Sequence, residues 1–85
     1  MNFFEKLKIA RLMIRVIALQ SKAPKGTFYN FEYHGSTNEV DFWKFRKCVN
    51  GEYTNQKHCC CYLGEDYGLT LDEVARQIAI ADKED

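Results

Sequence analysis

The residues densest in chemistry are the run His58-Cys59-Cys60-Cys61, with a fourth thiol at Cys48 and a second imidazole at His34. Zinc takes four tetrahedral thiolate or imidazole ligands, usually offered as pairs from turns about two to four residues apart. On a strand, neighbouring side chains point to opposite faces, so Cys59 and Cys61 share one face and His58 and Cys60 the other. Each face of the run then holds a pair of such ligands. Cys48 is about six residue steps away, roughly 20 Å at the usual strand rise. On that count no metal is expected, and the thiols read as small buried apolar groups. A second chemistry would use His58 as the base for a reactive Cys60. Neither a third orienting group nor an oxyanion donor accompanies that pair. Gly64 and Gly68 do not match a phosphate-binding loop, and Glu65 and Asp66 read as solvated. The expectation is a protein without catalytic residues, metal or cofactor.

These residues sit in a stretch, Thr27 to Leu63, that reads as strands. Asn50-Gly51 suits a two-residue type I′ hairpin, since both residue types tolerate positive φ. That turn sets Val49 opposite Glu52, Cys48 opposite Tyr53, Phe45 opposite Gln56, Trp43 opposite His58, Phe42 opposite Cys59 and Val40 opposite Cys61. One face collects Val40, Phe42, Cys59 and Cys61. The other collects Asp41, Trp43, Phe45, Gln56, His58 and Cys60. The run Thr27 to Tyr33 adds a strand with Tyr29, Phe31 and Tyr33 on one side and Phe28, Asn30, Glu32 and His34 on the other. A helix over residues 37–49 is the competing reading, because Ser36-x-x-Glu39 fits a capping box and Gly51 a helix end. Phe42-Trp43-Lys44-Phe45 suits a sheet better.

Helical patterns flank the stretch. Asn2-x-x-Glu5 is a capping box opening a helix from Asn2 to Gln20. Phe3, Leu7, Ala10, Ile14 and Ile17 form its apolar stripe, widened by Ile9, Leu12, Met13, Val16 and Leu19. A helix so broadly apolar needs cover on more than one side. Thr70-x-x-Glu73 caps a second helix with Leu71, Val74, Ala75, Ile78 and Ala81 on one stripe. The expected architecture is α+β, one domain over residues 1–85, in the order α-β-β-β-α. It is a three-stranded antiparallel meander with both helices packed on one face. That order is similar to double-stranded-RNA-binding domains. The likeness is topological, and Thr70-Leu71-Asp72-Glu73 at the last helix start would repel phosphate.

Lysine plus arginine and aspartate plus glutamate both number 12, a net charge of zero. The charges are segregated. Residues 1–26 carry Lys6, Lys8, Arg11, Arg15, Lys22 and Lys25 against Glu5, whereas residues 58–85 carry seven acids against Arg76 and Lys83. The two ends are expected to neutralise one another. Arg11 and Arg15 interrupt the apolar run of the first helix, so no membrane span is expected. No signal peptide is evident, and consecutive cysteines do not suit a disulfide framework, which points to free thiols in the cytoplasm.

If the helices cover the Phe42 face, the opposite face is left open with Phe28, Trp43, Phe45 and His58 among Asn30 and Glu32. Aromatic residues rimmed by polar ones mark protein-binding surfaces. The expected function is a small non-enzymatic protein-binding module, an inhibitor or adaptor of the phage-accessory kind. The surplus apolar face of the first helix adds the expectation of a homodimer. The alternative is nucleic-acid binding through Lys44, Arg46, Lys47 and Lys57 near the hairpin tip, against which the neutral charge argues.

Overall fold

The Asn2 side chain accepts from the Glu5 amide at 2.8 Å, and the Glu5 carboxylate accepts from the Asn2 amide at 3.2 Å. This reciprocal cap starts α1, Phe3–Lys22, in the computed structural model, which describes residues 1–84. The chain then forms β1 (Thr27–His34), β2 (Glu39–Lys47), β3 (Tyr53–Tyr62) and α2 (Leu71–Glu84). The strands make one antiparallel sheet in the order β1-β2-β3. Residues 39–47 are a strand, so the helical alternative over 37–49 does not form. Alternation decides it: Val40 and Phe42 are fully buried on one face while Trp43 and Phe45 lie on the other, a period-2 pattern no helix provides.

The hairpin differs from the two-residue turn. The Gly51 amide donates to the Cys48 carbonyl at 2.9 Å, and the Cys48 amide donates to the Glu52 carbonyl at 2.7 Å. Only Gly51 takes a positive φ in this turn, at 89°, while Asn50 does not. The loop is therefore Val49-Asn50-Gly51, a turn closed by a left-handed glycine. Its extra residue shifts the pairing by one, so Phe45 faces Asn55 and Lys47 faces Tyr53. An irregularity at Gln56, between the Lys44 and Phe45 pairs, restores the expected register, and Trp43 faces His58, Phe42 faces Cys59 and Val40 faces Cys61.

Both helices lie on the Phe42 face. The core joins Leu12, Val16 and Leu19 of α1 to Val74, Ile78 and Ala81 of α2 over Tyr29, Phe31, Val40, Phe42, Cys59 and Cys61. The stripe expected to face that core is turned away. Phe3, Leu7, Ala10, Ile14 and Ile17 are exposed, Ile14 at 67%. Three strands leave room for one side of α1 beside α2, so Leu12, Val16 and Leu19 meet the sheet and the other ridge remains uncovered. Within one chain α1 is therefore covered on one side only.

Lys8 pairs with Asp72 and Lys22 with Asp82, joining the two helices. The segregated charges of the chain ends thus meet, although such exposed pairs orient more than they stabilise. The edge strand β1 is closed by a side chain. Gln20 donates through Nε2 to the Thr27 carbonyl at 3.1 Å and accepts through Oε1 from the Tyr29 amide at 2.7 Å. The amide thus stands in for a fourth strand at that edge. On α2, the Thr70 hydroxyl caps the Glu73 amide at 3.2 Å.

Phe42→Ala should lower unfolding free energy by about 3–5 kcal/mol and Ile78→Ala by about 2–5 kcal/mol in urea titrations, as cavities in a small core do. Ile14→Ala, titrated at a concentration where the chain is monomeric, should change it by less than about 0.5 kcal/mol. A large loss at Ile14 would return the exposed ridge to the core.

Candidate functional site

The sheet face away from the helices holds two contiguous regions. The first is aromatic. Phe28 of β1 sits across from Phe45 of β2, and its ring meets Tyr53 of β3 edge-on with centroids 5.5 Å apart. Phe45 stacks on Trp43 at 5.5 Å, and Trp43 lies on the His58 imidazole at 3.4 Å with planes 8° apart. Trp43 and Phe45 are half-buried by one another, while Phe28 is 41% and Tyr53 56% exposed. The expected residues Phe28, Asn30, Glu32, Trp43, Phe45 and His58 all share this face. Tyr53 joins them only because of the shifted register. A two-residue turn would have set it opposite Cys48, on the helix side.

The second region is polar and lies toward the β1–β2 loop. Asp41 is its centre and is 4% exposed, although no helix covers it. His58 Nε2 is 2.8 Å from Asp41 Oδ1. His34 Nε2 is 3.2 Å from Asp41 Oδ2 and 3.1 Å from Glu32 Oε2. The His34 approach is close but not aligned as a hydrogen bond, so Asp41 Oδ2 is buried without one. Burying a carboxylate is costly unless charge or hydrogen bonds compensate it. The imidazoles on either side supply that compensation in part. Glu39 and Tyr62, paired across β2 and β3, complete the region. The hydrogen bond from the Tyr62 hydroxyl holds the Glu39 carboxyl below its ordinary range, and the same contact pushes the phenol up to about 12.

The thiols divide as the alternation requires. Cys59 and Cys61 are buried under the helices, Cys60 is half-buried on the open face, and Cys48 is exposed in the turn. Burial raises Cys59, Cys60 and Cys61 above the ordinary thiol value, and Cys61 reaches about 11. For Cys60 the Asp41 and Glu39 carboxylates add to that rise. Counting two ligands per face considered β3 alone. The other strands add Asp41, Glu39 and His34 to His58 and Cys60, a gathering that needs the sheet and not the run.

Of the four basic residues, three lie on the helix side of the sheet and one on the open face. Lys44 and Lys57 point to the helix side, where both approach Glu84 of α2, at 3.6 and 4.0 Å. Lys44 is also 5.9 Å from the Tyr29 ring centre. Arg46, opposite buried Thr27, shares that side, while Lys47 lies on the open face beside Tyr53. Among the described residues no helix is long and apolar enough to cross a membrane. Comparison of the chain with known protein families, with curated proteins and with solved structures finds no match.

Thiol labelling should distinguish the two sheet faces: Cys48 reacts first, while Cys59 and Cys61 react only on unfolding. Cys61 also gives a pH dependence. Its folded value is raised, so its contribution to stability is complete below the ordinary 9.0 and is lost as pH rises toward about 11. Native Cys61 labelling as fast as Cys48 would contradict the packing.

Proposed function

We propose that the protein is a non-enzymatic binding module that docks another protein on the open sheet face, as a cytoplasmic inhibitor or adaptor. The observation that carries this reading is the aromatic strip in which the Tyr53–Phe28 pair lies next to the Phe45–Trp43 stack in the β1–β2 register, on a face that no described element covers. Stacked rings lose little freedom on binding and contribute large contact area, which is why aromatic anchors dominate interfaces. Asn30, Glu32, Lys47 and Asn55 surround the strip with polar groups that stay solvated at a rim. Duplex binding has less support, because Lys44 and Lys57 lie on the opposite face beside Glu84.

A second reading has its own observation. Phe3, Phe4, Ile14 and Ile17 make an exposed apolar ridge on α1, with Phe4 at 77%. Two copies of this ridge packed together form a homodimer, which leaves the sheet face free for the other protein.

Capture of partners from lysate should be run with the wild type, with Phe28→Ser/Tyr53→Ser and with Ile14→Glu. The expected result is a stoichiometric protein lost with the sheet-face variant and kept by Ile14→Glu. A hot-spot loss of about 2 kcal/mol corresponds to roughly thirtyfold weaker binding. Sedimentation of the same samples should show dimer in the wild type and monomer in Ile14→Glu. Capture that survives the sheet-face changes and fails in Ile14→Glu would move the interface to α1.

A further inference from the structure

We propose that the polar end of the open face is a binding site for one zinc-class divalent cation, held by Asp41, His58 and Cys60. The carboxylate, imidazole and thiol ligand atoms of these residues all lie within 4.8 Å of one another. They come from adjacent positions of the β2–β3 ladder, where Asp41 faces Cys60 and Trp43 faces His58. Tetrahedral ligands at about 2.0–2.3 Å from zinc stand roughly 3.3–3.7 Å apart, so small side-chain adjustments suffice.

Three observations separate this cluster from a surface polar network. Asp41 Oδ2 is buried and has no hydrogen bond, with His34 Nε2 close but unaligned beside it, so the carboxylate is compensated only in part. The His58 ring is held by its stack on Trp43, with Nε2 directed at Asp41. His34 lies against the second oxygen of Asp41 at 3.2 Å, the place of an outer group that orients a ligating carboxylate. His34, Glu39 and Asp41 also lie within 4.8 Å of one another, so Asp41 is common to both groups.

The donor set selects the ion. A thiolate with an imidazole and a carboxylate suits zinc or cobalt, whereas magnesium and calcium take oxygen donors. On binding, the Cys60 thiol gives its proton to solvent and bonds as thiolate, and the proton between His58 Nε2 and Asp41 Oδ1 leaves that contact, so that imidazole and carboxylate both ligate through deprotonated atoms. Two negative ligands then balance the divalent charge. The fourth position is left for water, and the half-exposed sides of His58 and Cys60 give access to it. This assignment goes beyond the docking reading and does not depend on it.

The test uses the full chain with zinc alone, by chelator competition, and with cobalt alone, by absorption. The expected result is one ion per chain and a thiolate-to-cobalt charge-transfer band. Cys60→Ser should abolish the band, His34→Ala should weaken zinc about ten- to hundredfold, and Cys48→Ser should change neither. A wild type without the band, a band that survives Cys60→Ser, or one lost in Cys48→Ser would overturn the site. The wild-type spectrum decides the matter even if a variant fails to fold.

Discussion

One buried sheet face is the constraint from which the rest follows. Three strands and two helices can build a single core, and Phe42, Val40, Ile78 and Val74 at its centre are fully buried. A chain this short buries only about 60–65% of the surface its unfolded form exposes, so it has no second layer to give. The opposite sheet face and the outer ridge of α1 are both left to solvent. The radius of gyration, 13.4 Å, exceeds the roughly 12 Å of a compact chain of this length, in keeping with a long sheet covered on one side.

The open face is nevertheless ordered by its own contacts. Trp43 bridges the two regions, stacking on Phe45 toward the hairpin end and on His58 toward the polar end. A partner pressing on the aromatic strip would therefore touch the ring that positions His58 beside Asp41. Docking and ion binding on this face would be coupled through one side chain.

Much of the fold was legible in the sequence because local signals agreed. Asn2-x-x-Glu5 and Thr70-x-x-Glu73 mark both helix starts, and the alternation through Val40, Phe42, Cys59 and Cys61 names the covered face. The packed ridge of α1 was not legible, because an almost wholly apolar helix carries no internal mark of which ridge packs. Only the sheet width and the position of α2 select Leu12, Val16 and Leu19. The turn length was not legible, because Asn50-Gly51 suits a two-residue and a three-residue loop alike, and the compensating bulge at Gln56 has no signature. The aromatic residues of the candidate site followed from alternation. Tyr53 did not, since its face depends on that bulge, and bringing His34 to Asp41 required the register between β1 and β2.

Trp43 belongs to an uncovered face while Phe42, its neighbour, belongs to the core. A nuclear Overhauser spectrum of the free protein tests it directly. Cross-peaks are expected from the Trp43 indole to the His58 and Phe45 rings, from the Tyr53 ring to Phe28, and from the Phe42 ring to core methyl groups of α2. Cross-peaks from the Trp43 indole to the methyls of Val74 or Ile78 would contradict it, because they would place the helices on the other side of the sheet.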